Sequence, residues 1–127
     1  MEILNLVQSS PDWYAARAKH FCASEAAAAM RVTKYQTRDE LLHQKHTGLA
    51  PEVDAAKQRL FDAGHAAEAG ARAIAEQIAD TEFAPMVGVE VIDGMPLLAS
   101  FDGIDMMGET PWENKLWSQS LVAQVEA

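Results

Sequence analysis

Apolar and polar positions follow two rhythms along this chain, helical before about residue 80 and extended after it. Ser9 or Ser10 ahead of Pro11 and Asp12 reads as a helix start, because proline early in a helix forgoes an N–H that has no partner there. The segment DWYAARAKH carries that helix to about His20. Residues 21–23 are short and apolar, and Ser24, ahead of Glu25 and a run of alanines, reads as the N-cap of a brief second helix. Thr37-Arg38-Asp39-Glu40 has the form of a capping box, in which hydroxyl and carboxylate satisfy each other's orphan backbone donors. Its helix is expected to run to about His46 and stop at Gly48. From Pro51 onward, strong helix formers fill residues 52–62 and 65–78, with Gly64 between them as a break or a bend.

Beyond Asp80 the pattern becomes extended. Residues 86–92 are rich in valine and isoleucine, Asp93-Gly94 is a two-residue hairpin signal, and residues 96–101 return as the partner strand. Gly103 and Gly108 punctuate the next stretch, and residues 112–117 form a third strand candidate behind Pro111. Helices first and a small sheet afterwards define an α+β protein, with the N-terminal helices packed on a mainly antiparallel or mixed sheet.

Composition narrows the class. The chain has 127 residues, 49% hydrophobic and 23% charged, which matches one globular domain and excludes a disordered chain. There is no run apolar enough to span a membrane. Cys22 stands alone and cannot make an internal disulfide, and the N-terminus lacks the basic and apolar regions of a signal peptide, so the cytoplasm is the expected compartment. The net charge of −9 argues at first against nucleic acid, whose phosphates are met by Lys and Arg. Its distribution qualifies that: residues 1–60 sum to +1, whereas residues 61–127 sum to −10. One half suits an anion, and the other is rich in carboxylates that suit a hard cation.

Three places carry candidate chemistry. Asp102-Gly103 closes one expected strand, and Glu113-Asn114-Lys115 lies on the next, where residues two apart share a face. A carboxylate and an ammonium side by side, next to an aspartate from a neighbouring strand, are what metal-assisted phosphodiester hydrolysis requires. Taken singly, the triplet equally fits a solvent-facing ion pair on an edge strand, and Asp102-Gly103 an ordinary turn. Glu68, on a helix otherwise filled with alanine, needs a partner if it is buried, and a metal ion would supply one. Arg17 near a helix end and Ser24 at an expected helix start are spaced to converge on one anion. Trp13 and Trp112 read as core residues rather than base-stacking platforms. His20, His43, His46 and His65 lack a zinc spacing.

Ser10-Pro11-Asp12-Trp13, Arg17, Phe21-Cys22-Ala23-Ser24, Gly64 with Glu68, Ala99-Ser100-Phe101-Asp102-Gly103 and Glu113-Asn114-Lys115 succeed one another between about residues 8 and 117. In that order they resemble the YqaJ-like viral recombinase family, the phage lambda exonuclease type, of the PD-(D/E)XK nuclease superfamily. The resemblance implies a restriction-endonuclease-like core and a Mg²⁺-dependent exonuclease, with Mn²⁺ able to substitute, that digests one strand of duplex DNA from a 5′ end by two-metal catalysis. It implies metal ligation by Asp102, Glu113 and the backbone carbonyl of Asn114. Glu68 would be the helix-borne acid serving a second metal or its water, and Lys115 the catalytic lysine. Arg17, Ser24 and Ser100 occupy positions similar to those that bind the terminal or scissile phosphate. The family also implies double-stranded DNA ends as partner, a single-strand annealing protein, a trimeric assembly and a phage or prophage origin in a bacterial host.

The chain departs from the family in two places. Leu116-Trp117 stands where the family has cysteine and proline, and the chain ends twelve residues after Lys115, where family members continue with further helices and strands. Residues 1–127 are therefore expected to form a single, C-terminally truncated nuclease domain. Competing readings are an endonuclease of restriction or repair type, a catalytically silent DNA-end-binding fragment and an acidic interaction domain.

Overall fold

Local capping explains where most helices start. In a computed structural model, which describes residues 1–49 and 53–127, Ser10 Oγ accepts the Trp13 N–H at 3.3 Å and opens helix α1, Pro11–Ala18. Thr37 Oγ accepts the Glu40 N–H at 3.1 Å and opens α3, Arg38–Thr47, which Gly48 closes with a left-handed φ of 71°. Asp54 caps the Lys57 N–H at 2.8 Å and opens α4, Ala55–Ala79. Ser118 caps the Leu121 N–H at 3.1 Å and opens α5, Gln119–Glu126. Between α1 and α3 lie the two-residue strand β2, Phe21–Cys22, a 3-10 turn over Ala23–Glu25 and the single turn α2, Ala26–Ala29.

Strands β1 (Glu2–Leu4), β3 (Ala84–Ile92), β4 (Met95–Ile104) and β5 (Pro111–Trp112) join β2 in one sheet of order β1-β3-β4-β2, with β5 also pairing β4. The sheet is mixed. β1 runs antiparallel to β3 and β5 antiparallel to β4, while β2 is parallel to β4 with Phe21 opposite Leu97 and Cys22 opposite Leu98. The β3–β4 hairpin turns at Asp93 and Gly94, whose φ values are both positive (51° and 78°), the twist that a two-residue turn between right-twisted strands requires.

The chain divides into two compact units. The first comprises Met1–Glu52 with Pro85–Phe101, and the second Val53–Ala84 with Asp102–Ala127. The first is built on Cys22, Val87 and Leu98, against which Leu6, Trp13, Ala16 and Val89 pack. In the second, Phe83 and Ile104 are buried, and Phe83 stacks on Trp112 with ring centroids 6.1 Å apart. A side chain at Gly103 would meet Phe83 Cβ at 2.8 Å, so glycine follows Asp102 because the aromatic pair leaves no room for a Cβ. Trp13 and Trp112 are both partly buried, as expected of core residues.

Four expectations need correction. Of the two alternatives at Gly64, the break does not occur: α4 is continuous for 25 residues, because once a helix is nucleated each added residue gains a hydrogen bond that outweighs one glycine's entropy. The expected start at residue 52 lies outside the described residues. Ser24 is not an N-cap; it sits inside the 3-10 turn, where the Glu25 carboxylate takes the Cys22 N–H at 2.9 Å. The third strand shrinks to Pro111–Trp112, because the Asn114 N–H bonds the Asp102 carboxylate at 2.8 Å instead of a ladder partner. Finally, the order is not helices and then strands, since β1 and β2 precede most of the helices, and α5 also lies outside the expected set.

A Cβ added at Gly64 would meet only Leu116 Cδ1, at 4.0 Å, an ordinary van der Waals contact. Gly64→Ala is expected to stabilise the chain by about 0.5–1 kcal/mol, read as a rise in the denaturation midpoint without a change in slope.

Candidate functional site

The sequence-derived residues fall into both units. Glu68, Asp102, Glu113, Asn114 and Lys115 lie in the second, while Arg17, Ser24 and Ser100 lie in the first. Strand β4 carries Ser100 in one and Asp102 in the other.

In the second unit, Glu68 projects from α4 one turn before Arg72. The Arg72 guanidinium Nη2 lies 2.6 Å from Glu68 Oε1 and donates to the Asp102 backbone carbonyl at 3.0 Å. Both side chains are largely shielded, with relative exposures of 14% for Glu68 and 21% for Arg72. Asp102 Oδ2 accepts the Asn114 N–H, which fixes the start of the segment carrying Glu113 and Lys115. That segment is not a strand, so the alternation expected to place Glu113 and Lys115 on one face does not operate. The two side chains nevertheless pair directly, Lys115 Nζ on Glu113 Oε1, well exposed to solvent.

The charges on these groups interact. Burial pushes the Glu68 carboxyl above the ordinary glutamate value, and the negative charges of Asp102 and then Glu113 add to the rise, against the opposing pull of Arg72 and His65. Glu68 therefore feels the charges of Asp102 and Glu113, and the field there disfavours a further negative charge. A hard divalent cation relieves such repulsion, and carboxylate and carbonyl oxygens are the donors that Mg²⁺ accepts. Among the described residues, however, no group of three or more His, Cys, Asp or Glu side chains converges tightly enough to form a ready ligand cage. By donor chemistry the residues suit Mg²⁺, with Arg72 standing among them.

In the first unit, Arg17 and Ser24 do come together. The Arg17 guanidinium lies 4.6 Å from the centre of the Trp13 ring and donates to Ser24 Oγ at 3.3–3.4 Å. Ser100 joins them through Trp13, whose indole N–H donates to Ser100 Oγ at 2.9 Å. Beneath them Glu25, only 8% exposed, binds Lys45 Nζ at 2.8 Å and Arg17 Nη2 at 3.5 Å. Two cations on one buried carboxylate leave a net positive charge beside two hydroxyls, an arrangement suited to a phosphate. Burial pushes the Cys22 thiol above its ordinary value, against the opposing pull of Arg17 and Lys45.

Sequence reasoning misses Glu25, Lys45 and Arg72. Arg72 is legible in principle, since a basic residue four places after a helical glutamate forms an ion pair on the same face. Glu25 is signalled only by its place beside Ser24. Nothing in the sequence pairs Lys45 with Arg17, whose carbonyl it reaches at 2.7 Å across 28 residues. Among the described residues no helix is long and apolar enough to cross a membrane. Comparison with protein-family models and with curated proteins finds no match to this chain.

Proposed function

We propose that the chain is a Mg²⁺-dependent deoxyribonuclease with a restriction-endonuclease-like core, acting as an exonuclease on the 5′ ends of double-stranded DNA. The observation that supports this most directly is geometric: Glu68, Asp102 and Glu113 lie in one unit, the Asp102 carboxylate holds the Asn114 N–H, and Lys115 pairs with Glu113. Asp102, Glu113, the Asn114 carbonyl and Glu68 would hold the ion, with Mn²⁺ as a substitute. When bound, it supplies Lewis-acid polarisation of the scissile phosphate and a more acidic water. Lys115 presents a positive charge to the reacting phosphate. Glu68, the helix-borne acid, would serve a second metal ion or its water. Arg17, Ser24 and Ser100 bind the terminal or scissile phosphate and orient the end. The same reading makes the protein a cytoplasmic component of phage or prophage recombination, assembling as a homo-oligomer and passing its product to a single-strand annealing protein.

A Mg²⁺ titration by calorimetry tests the metal site. Binding is expected in the wild-type chain and is lost in Asp102→Asn and Glu113→Gln; heat that is indifferent to both substitutions refutes the assignment. A catalytically silent DNA-end-binding module is the second reading, favoured by the hold of Arg72 on Glu68 and by the absence of a ready ligand cage among the described residues. It expects end binding without Mg²⁺ heat.

The phosphate and lysine roles can be separated by kinetics. Arg17→Ala removes a charge-assisted phosphate contact worth about 1.5–3 kcal/mol. It should therefore reduce the preference for 5′-phosphorylated over 5′-hydroxyl ends by about tenfold or more, measured as the ratio of initial rates. Equal rates on both ends in wild type and variant remove Arg17 from that role. Lys115→Ala should lower turnover while leaving Mg²⁺ affinity nearly unchanged, as read by parallel kinetics and calorimetry.

A further inference from the structure

Arg72 is used by no step of the proposed chemistry, yet its guanidinium sits among the acids. One nitrogen, Nη2, contacts both the Glu68 carboxylate on α4 and the backbone carbonyl of Asp102 on β4. Its Nε is buried and has no hydrogen-bond partner among the described residues. Arg72 also supplies positive charge where a divalent ion held by Glu68 would supply it.

We propose that Arg72 is a positioning residue, the resident counter-cation of Glu68, which ties this helix acid to the peptide of Asp102 and competes with a divalent cation for the Glu68 carboxylate. The competition rests on the metal-site reading above; the tie between helix and strand does not. With no cation bound, the guanidinium keeps Glu68 in register with Asp102. A cation held by Glu68 would weaken the hold of Arg72 on that carboxylate and leave the bond of Arg72 to the Asp102 carbonyl in place.

The test uses the full chain as wild type, Arg72→Met, Arg72→Lys, Glu68→Gln and the double variant Arg72→Met/Glu68→Gln. Thermal unfolding in EDTA measures the tie. Arg72→Met is expected to lower Tm by several degrees when Glu68 is present and by much less in the Glu68→Gln background. An equal drop in both backgrounds overturns the coupling. Calorimetric titration with Mg²⁺ alone measures the competition. Arg72→Met is expected to bind Mg²⁺ about tenfold more tightly than wild type, the effect of removing one nearby positive charge, whereas Arg72→Lys, which keeps the charge, stays close to wild type. Unchanged or weaker binding in Arg72→Met overturns the competition, because a purely structural arginine would weaken the site when removed. If wild type and every variant fail to bind Mg²⁺, the metal-site reading and the competition fall together, and the EDTA comparison still decides whether Arg72 couples Glu68 to the strand.

Discussion

Asp102→Asn and Glu113→Gln should each reduce Mg²⁺-dependent strand cleavage by at least about a thousandfold, the rate equivalent of the several kcal/mol that a bound metal ion contributes to a developing phosphoryl charge. Both substitutions replace a carboxylate by a nearly isosteric amide, which holds Mg²⁺ poorly. Neither should unfold the protein. The asparagine oxygen at position 102 can still accept the Asn114 N–H now bound by Asp102 Oδ2 at 2.8 Å, and Glu113 is more than half exposed. Affinity for a duplex end, which the proposal assigns to Arg17, Ser24 and Ser100, should stay within about twofold, since phosphate contacts supply most of such binding. Gel-shift titration in Ca²⁺ alongside single-turnover cleavage in Mg²⁺ separates the two effects. Retained cleavage in either variant removes that residue from the mechanism.

The largest loss of stability is expected at Glu25. This carboxylate is buried and does three things at once: it accepts the Cys22 N–H at 2.9 Å, binds Lys45 at 2.8 Å and draws in Arg17 at 3.5 Å. Removing one partner of a shielded ion pair leaves the other charge uncompensated, at a cost of about 3–5 kcal/mol. Against a total stability of about 5–15 kcal/mol for an ordinary domain, Glu25→Ala should shift the urea midpoint strongly downward. Glu25→Gln keeps an oxygen for the Cys22 N–H and should lose distinctly less. If the two variants lose the same amount, the backbone bond contributes nothing and the charge pairs carry the whole effect. A change in Glu25→Ala below about 1 kcal/mol, the usual value of an exposed pair, would show that Lys45 and Arg17 find water instead.

Legibility in the sequence divides along the range over which each interaction acts. The Asp93-Gly94 hairpin, the Thr37 cap and the stop at Gly48 are legible because each depends on side chains within a few residues. Gly64 misleads because a local entropic penalty is weighed without the cooperativity of a 25-residue helix. Ser24 and residues 113–117 mislead for another reason. In both, a carboxylate, Glu25 or Asp102, takes a backbone N–H that periodicity assigns elsewhere. Glu113 and Lys115 pair as their spacing suggests, although the strand invoked for the pairing is absent from that segment. β1, with only three residues, is too short for alternation to register.

The candidate site obeys the same division. Arg17 with Ser24, and Glu113 with Lys115, are short-range pairs that sequence spacing suggests. Lys45 reaches the Arg17 cluster only through the fold, and Arg72 escapes notice when it is counted as one basic group within an acidic half rather than as the neighbour of Glu68 one turn away. The net charge of −9 likewise conceals a local arrangement in which two cations, Arg17 and Lys45, share one buried acid.

Digestion of a 5′-phosphorylated linear duplex, run in parallel with the same DNA as a covalently closed circle, decides whether the chain is an end-dependent nuclease. With Mg²⁺ present, the wild-type chain is predicted to release nucleotides from the linear DNA, to leave the circle intact and to do neither in EDTA or as Glu113→Gln. Cleavage of the circle would make the protein an endonuclease, and no release from the linear DNA at any Mg²⁺ concentration, or undiminished release by Glu113→Gln, would contradict the proposed exonuclease.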